Sequence, residues 1–298
     1  MCGGGWSTGA PRAVDSQAIV RDAWQLLRGG ALRHHGVVGL MRHAALVDPA
    51  NFYSGIVVDA YARLKSNSFT ADRYRDFVVA HGEPALEIGC GDGQPLLDLC
   101  AEGLEVEGVD SSADMLKRCR KNALRRGIEV RLHHERVEDL HLGRRYPSIY
   151  FAGPTFTLLP DDQSARRALE AIHRHLVDDG MGLIPLWVPA STPVEELGVC
   201  RSADDGLGVE VRYTPMSEKT DPVSRTRVTS TRYERVTATD RQVTEREWII
   251  HWQTLSSFRQ LCRDSGLDVV QLIDDETGSA ATDDSTEFTA TVRRGSDR

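Results

Sequence analysis

Apolar positions along the chain follow three successive rhythms. From Asp15 to about Ala80 they recur at helical spacing: Ile19, Val20, Ala23, Trp24 and Leu27 form one stripe, and Tyr74, Phe77 and Val78 another. Gly29-Gly30 and Asp48-Pro49 punctuate these helices. From Glu83 to Pro189 short apolar runs (PALEI, EVEGVD, IEVRLH, SIYFAG and GLIPLWV) alternate with helical text. The clearest helix runs from Asp161 to Val177, with Ala165, Ala168, Leu169, Ile172 and Leu176 on one face and Gly180 just past its end. Strands separated by helices of this length form βαβ units and a parallel sheet.

Beyond Pro189 the rhythm changes. Ser191 to Gly208 reads as a loop, and a β-rich segment runs on to Trp252. Within it RTRVTSTRYERV (225–236) and QVTEREWIIHW (242–252) alternate and are joined by TATDR, which predicts a hairpin. A helix follows with Thr254 as its N-cap, Leu255, Phe258, Leu261 and Cys262 inward, and Gly266 at its end. Two strands, DVVQLI and EFTATVR, close the chain and flank the acidic stretch DDETGSAATDDS, expected to be exposed and mobile. The predicted organisation is a helical cap over residues 1–80, an α/β core over 81–190 and 253–298, and a β-rich insertion over 191–252.

Composition narrows the functional class. The 298 residues carry a net charge of −8, which disfavours a broad nucleic-acid surface. The one dense basic run, Lys117 to Arg126, reads as a solvated helix face. No apolar run approaches the roughly 20 residues that span a bilayer. The glycine-rich amino terminus, expected to be disordered, does not read as a secretory signal, so the expectation is a cytoplasmic protein with no membrane partner. Six scattered cysteines show no CxxC pair and are expected as reduced, mostly buried thiols. The cluster His133-His134-Glu135 with His141 matches no established metal spacing, and no metal site is expected.

Chemistry concentrates first in PALEIGCGDGQPLLDL, residues 84–99, where a strand passes into a helix. Gly89, Gly91 and Gly93 let the backbone approach a ligand and take positive φ, and the helix over 95–103 would present its first amides to that ligand. The spacing is GxGxG, whereas the dinucleotide fingerprint is GxGxxG. Glu87, directly before the glycines, would repel a pyrophosphate but could hold an ammonium group. Asp110 ends the second strand 17 residues beyond Gly93, where an acid can accept both hydroxyls of a ribose; it could also cap the next helix, as could Ser111 and Ser112. Val137 offers an apolar wall for a base, and Glu138 or the Val137 backbone a polar reader of its amino group. Ala152, Gly153 and Pro154 stand at a carboxyl end of the sheet; their carbonyls could meet the ammonium group, or the segment is a structural turn.

EIGCGDG, the VD at its set distance, VEDL, AGPTF and HRHLVDDG together resemble the class I S-adenosylmethionine-dependent methyltransferases, most closely over Tyr74 to Pro189. The resemblance implies a Rossmann-like, seven-stranded, mostly parallel sheet with flanking helices, closed by EFTATVR as its antiparallel strand. It implies that Glu87, Gly89, Cys90, Gly91 and Gly93 border the methionine part of S-adenosylmethionine, and Asp110 its ribose. Ser111 and Met115 are assigned to the same site, Val137 and Glu138 to the adenine, and Ala152 and Gly153 to the ligand's ammonium end. S-adenosylhomocysteine would be the product. Two departures stand out: Arg136 occupies a position where an acid is common, and Gly153-Pro154-Thr155-Phe156 is a distant echo of the acidic box found in enzymes that methylate amides and nucleobase amines.

The acceptor should lie between the amino-terminal helices and the hairpin. Thr155 and Phe156 could border the sulfonium, and Tyr53 and Tyr61 sit where related small-molecule enzymes often carry a tyrosine. On the last hairpin strand Trp248, Ile250 and Trp252 alternate with Glu245, Glu247 and His251; the aromatic face is expected to pack on the core and the other to line the cleft. Tyr233, Arg232 and Arg235 lie on the paired strand. If a base is needed, His251 is the candidate, since its ordinary pKa lies near neutrality; packing is its bland alternative. The expected activity is methyl transfer to nitrogen or oxygen of a small molecule in specialised metabolism, by a monomer or homodimer. An NAD(P)-dependent oxidoreductase and a non-catalytic binding module are the rivals.

Overall fold

The computed structural model describes residue 48, residues 51–64 and residues 71–295. The amino-terminal stripe from Ile19 to Leu27 and most of the predicted helical cap lie outside the described residues. Among the described residues no helix is long and apolar enough to cross a membrane.

Among the described residues two helices precede the first strand, α1 (Ile56–Leu64) and α2 (Asp72–His81). The core then alternates β1 (Ala85–Ile88), α3 (Leu96–Ala101), β2 (Val106–Asp110), α4 (Ala113–Arg126), β3 (Arg131–His134), β4 (Tyr146–Phe151), α5 (Asp162–His175) and β5 (Leu176–Trp187). Four antiparallel strands follow, β6 (Arg201–Asp204), β7 (Glu210–Asp221), β8 (Thr226–Val236) and β9 (Arg241–His251). Helix α6 (Leu255–Asp264) leads back to β10 (Leu267–Asp274) and β11 (Glu287–Arg294).

The main sheet has the order β10-β11-β5-β4-β1-β2-β3, and β6 to β9 form a second sheet. β1 to β5 pair in parallel, and β11 runs antiparallel to both neighbours. The seven-stranded α/β architecture expected from the sequence is therefore present. β1 and β4 sit centrally, and β1 is buried on both faces, Glu87 included. Leu86, Ile149, Phe151, Leu169, Ile172 and Phe258 pack together on one side of this sheet; Leu96, Leu97, Leu116 and Tyr74 pack on the other.

Local expectations fail at three places. Helix α5 stops at His175, and Leu176 is already extended and paired with Tyr146. Gly180 is no helix cap: it lies in a bulge where the register jumps from Leu176 to Met181, and a Cβ there would come within 3.0 Å of the Tyr146 carbonyl. Burial of Leu176 in the sheet outweighs continuation of the helix. The acidic stretch after β10 is not a loose linker either. The Asp274 carboxylate accepts from the amides of Glu276 and Thr277 and from the Ser285 hydroxyl, and Ile273 bridges to Ala280. The loop predicted over 191–208 also contains β6, which pairs with β7.

The β2–β3 edge is tied by one carboxylate. Glu107 is buried and accepts from His133 Nε2 at 2.7 Å, Tyr146 Oη at 3.0 Å, Arg131 at 3.0 Å and Arg144 at 2.5 Å. Burial alone would raise its pKa, but these hydrogen bonds and the two guanidinium groups hold it below the ordinary range. A depressed folded-state pKa contributes stability above the unfolded value, near pH 4.3, and that stability is lost as pH falls further. Glu107→Gln should lower unfolding stability by about 1–3 kcal/mol at neutral pH. The deficit should shrink below about pH 4 in denaturant titrations of the two proteins, where the wild-type carboxyl is protonated too.

Candidate active site

The glycine turn is built against the end of β2. Gly89 and Cys90 donate to the Val109 carbonyl at 2.8 and 3.1 Å, and the Gly91 amide donates to Asp110 Oδ2 at 2.8 Å. The other Asp110 oxygen accepts from the Ser112 amide at 2.7 Å. One carboxylate thus joins the turn to the start of α4, where the Ser112 hydroxyl caps Met115. Glycine is required at position 89: its φ is +72°, and a Cβ would lie 2.5 Å from Thr155 Cγ2. At Gly93, with φ +98°, a Cβ would strike Cys119 and Leu97 at 2.8 Å. Helix α3 contributes less than its sequence suggests, because the Leu97 and Asp98 amides are taken by the carbonyls of Gly93 and Pro95 at 2.8 Å.

A cleft opens over this turn, enclosing about 1070 Å³ of empty space, part of it continuous with solvent. Its floor is formed by Gly89, Gly91, Asp110, Ser111 and Met115. Val137 and Glu138 line one side, as expected for a base-binding wall. Arg136 donates to Glu138 Oε1 at 2.9 and 2.6 Å and also pairs with Asp48, so the departure from the family pattern fixes the carboxylate it precedes. Tyr53, Tyr61 and Thr155 also line the cleft.

The segment before α1 is pinned over the floor by its backbone. The Tyr53 carbonyl accepts from the Ser112 hydroxyl at 2.5 Å, and the Gly55 amide donates to Asp114 at 2.8 Å. Tyr53 meets Tyr61 edge to face at 5.4 Å and Phe52 at 5.0 Å. Phe52 in turn lies 6.5 Å from Trp248 of β9. Burial, reinforced by the negative Asp110, pushes the Tyr53 phenol far above its ordinary pKa; burial does the same to Tyr61. Both phenols stay protonated at neutral pH and act as hydrogen-bond donors rather than bases.

Several predicted site residues lie elsewhere. Glu87 is fully buried below the turn and does not line the cleft; Tyr150 Oη donates to its Oε2 at 2.8 Å, and its Oε1 has no hydrogen-bond partner. Burial raises its pKa well above the ordinary value. Cys90 and Gly93 belong to the buried packing of the turn. Ala152 accepts from Thr155 Oγ1 at 2.8 Å and Gly153 donates to Tyr74 Oη at 2.7 Å, so this segment is a braced turn beside the cleft. Phe156 packs between Phe151 and Phe258. Tyr233 packs on Phe52 and Tyr213, and Arg232 pairs with Glu234 and Glu245.

The candidate base His251 is also set apart from the cleft. It is buried with Nε2 at 3.3 Å from Asp162 Oδ1, at the start of α5, where Arg225 and Gln253 converge as well. Burial lowers its pKa against the pull of Asp162, so it is a neutral joint between the second sheet and α5. His133 and His134 diverge, one to Glu107 and the other to the Ser111 carbonyl. The residues that sequence reasoning missed are Phe52 and the Leu158–Pro160 segment. Trp248 does pack on the core, but it also lines the cleft alongside Glu247.

This donor set suits a nucleoside carrying an amino-acid chain. Asp110 is desolvated, which raises its pKa despite its two amide donors, and each carboxylate oxygen retains a lone pair for a ribose hydroxyl. A Cβ on Gly91 would meet nothing closer than 4.0 Å, so the turn leaves open space above it. No cluster of phosphate-binding amides accompanies it, because the turn's own donors are spent on β2 and on Asp110.

Comparison with known proteins agrees with this geometry. Residues 85–180 match the family model described as a methyltransferase domain. The chain is 30% identical over 160 residues to the dTDP-3-amino-3,6-dideoxy-alpha-D-glucopyranose N,N-dimethyltransferase of Streptomyces fradiae, covering 50% of this chain and 61% of that protein. It is 33% identical over 90 residues to the ubiquinone biosynthesis O-methyltransferase of Pectobacterium carotovorum, covering 29% and 37%. The match thus spans less than two thirds of either relative. The solved sugar N-methyltransferase KedS8 from Streptoalloteichus superposes with a TM-score of 0.64 at 18% identity, over 88% of this chain and 100% of that one, a likeness of fold. Residues 85–180 thus match a methyltransferase domain, and the strand order and the turn held by Asp110 give the chain the fold of the class I S-adenosylmethionine-dependent methyltransferases it resembles.

Proposed function

We propose that the protein transfers a methyl group from S-adenosylmethionine to the amino nitrogen of a small molecule, with an amino sugar as the acceptor class. The observation that carries this reading is the pairing of the Asp110-centred floor with an aromatic wall of Phe52, Tyr53, Tyr61 and Trp248. Among the described residues lining the cleft there is no histidine, lysine or cysteine. The relative from Streptomyces fradiae and the structural neighbour KedS8 both bear names of sugar N-methyltransferases, which supports the same acceptor class.

S-adenosylmethionine, when bound, supplies an electrophilic methyl group on a positively charged sulfur. Asp110 would hold its ribose hydroxyls through charge-assisted bonds, and Val137 and Glu138 would flank its adenine. Tyr53 and Tyr61 close the cleft from above, exclude water and offer phenol donors to a hydroxylated acceptor. The aromatic faces and the Glu247 carboxylate favour a group that gains positive charge as it reacts, as an amine does and a hydroxyl does not. An amine needs only to shed its proton before attack. A hydroxyl would need a base; the phenols are held protonated and His251 lies outside the cleft, which leaves that part to the Glu135 and Glu247 carboxylates of the lining. Catalysis is then mainly positioning and exclusion of water, which can supply about 7–11 kcal/mol at best.

The donor assignment is tested by calorimetric titration with S-adenosylhomocysteine. Asp110→Ala should weaken binding by about 10–100-fold, the loss of hydrogen bonds to a charged group, with the circular dichroism of the fold retained. Unchanged affinity removes Asp110 from the ribose role, and binding of NADH instead of S-adenosylhomocysteine would overturn the reading altogether. For the acceptor, transfer from labelled donor should mark amino sugars and leave their deaminated hydroxyl analogues unlabelled. Transfer to the hydroxyl analogues alone would refute the nitrogen assignment. His251→Gln should reduce transfer by less than about 10-fold, whereas a general base would cost at least about 100-fold.

A further inference from the structure

The free edge of the second sheet borders the cleft. β9 is the last strand in the order β6-β7-β8-β9, so one of its edges has no strand beside it. In an antiparallel pair the residues alternate: one turns both its amide and its carbonyl to the neighbouring strand, and the next turns both away. Two bonds fix the phase of this alternation. The Thr237 amide donates to the Asp240 carbonyl at 2.8 Å at the turn, and the Trp252 amide donates to the Arg225 carbonyl at 3.0 Å at the far end. The register between them is unbroken. Arg246, Trp248 and Ile250 therefore bond β8, while the amides and carbonyls of Glu245, Glu247 and Ile249 point off the free edge.

The same phase explains the lining of the cleft. The side chains of Glu247 and Ile249 lie on the face opposite that of Trp248, yet all three residues line the cleft. Both faces share only the strand's edge, so the cleft meets β9 there. The Glu245 carbonyl is already taken, since it accepts from Arg246 Nη1 at 3.0 Å. Glu247 and Ile249, both half-buried, have no backbone partner among the described residues. The Leu158–Pro160 segment of the same lining does not complete them: the Leu159 amide turns back to the Phe156 carbonyl at 3.3 Å, and Pro160 has no amide. Outward amides and carbonyls in a cleft are satisfied by water, and a ligand that displaces this water must replace its bonds.

We propose that the free edge of β9 at Glu247 and Ile249 is the recognition site for a hydroxyl group carried next to the reacting amine of the acceptor. This rests on the reading of the cleft as a methyl-transfer site. A hydroxyl both accepts and donates, so one such group satisfies an outward amide and an outward carbonyl together. A neutral amine beside it can donate an N–H to the second carbonyl and keep its lone pair for the methyl group. Because the bonds come from the backbone, proline is the substitution that removes one. At position 249 it deletes an outward amide and no ladder bond, whereas at position 248 or 250 it would break the pairing with β8.

Amide hydrogen exchange by NMR on the full chain, saturated with S-adenosylhomocysteine, tests the edge directly. The amides of Glu247 and Ile249 should exchange at least about 10-fold faster than those of Trp248 and Ile250. Equal protection of all four in the absence of acceptor overturns the edge assignment. Adding trans-2-aminocyclohexanol should slow exchange at Glu247 and Ile249 by at least about 5-fold, and cyclohexylamine, which lacks only the hydroxyl, should leave it unchanged. In calorimetry the amino alcohol should bind at least about 5-fold tighter than cyclohexylamine, and Ile249→Pro should abolish that difference while retaining affinity for S-adenosylhomocysteine. No binding of the amino alcohol, equal affinity for the two amines in the wild type, or a preference that survives in Ile249→Pro overturns the proposal. Should Ile249→Pro fail to fold, the exchange comparison in the wild type decides alone. S-adenosylhomocysteine binding without a hydroxyl preference removes only the role of the edge, whereas failure of the wild type to bind S-adenosylhomocysteine removes the methyl-transfer reading itself.

Discussion

The site depends on one carboxylate at the end of one strand. Asp110 accepts from the Gly91 amide with one oxygen and from the Ser112 amide with the other. That pair of bonds fixes the glycine turn after β1 relative to the start of α4 after β2. Ser112 then passes the constraint on, since its hydroxyl caps α4 and donates to the Tyr53 carbonyl of the segment above. Floor, flank and roof of the cleft thus share a short chain of hydrogen bonds centred on a residue that also lines the cleft. The carboxylate is desolvated by the same packing, which makes its remaining lone pairs valuable to a partner with two hydroxyls.

Support for that end of the sheet comes from the opposite pole of the same strands. Glu107 gathers His133, Tyr146, Arg131 and Arg144, locking β2 to β3 and β4 three residues before Asp110. Glu87 plays a matching part on β1, receiving the Tyr150 hydroxyl while Tyr150 stacks on Tyr74 at 5.1 Å. Tyr74 accepts the Gly153 amide, so the turn after β4 is braced through α2. Glu87 therefore reads as a strut below the glycine turn, and the elements that look like ligand contacts in sequence are partly the frame that holds the turn.

The donor half was legible because its signals are local. A glycine that must take positive φ, an acid at a strand end and a Ser cap announce themselves within about two dozen residues of one another. Asp110, Ser111, Met115, Val137 and Thr155 all line the cleft where the motif spacing placed them. The acceptor half was only partly legible, because it is made by contacts across some 200 residues. Nothing near Phe52 shows that it will meet Trp248, and the alternation of β9 could not reveal that Trp248 would pack on the core and still border the cleft. The place of His251 outside the cleft was hidden for the same reason: its partner Asp162 is almost ninety positions away, at the start of α5. The boundary at His175 was missed because burial of Leu176 in the sheet overrides a helical pattern that runs past it.

This division of labour has a consequence for how the acceptor is chosen. The second sheet leaves the main one after β5 and returns through α6, so it is a single excursion with Trp248 and Ile250 on one face. Changes on that face leave the bonds of Asp110 untouched, because no residue of β6 to β9 takes part in them. The Asp110-centred floor can therefore stay constant while that face of the excursion varies. Since β9 lies beside β8 and not beside the main sheet, its position over the cleft is held by packing of Trp248 and Ile250 on Phe52, Val57 and Ala60. The aromatic wall is thus the weld that keeps the second sheet in place over the cleft, and weakening it would loosen that sheet before it disturbed the bonds of Asp110.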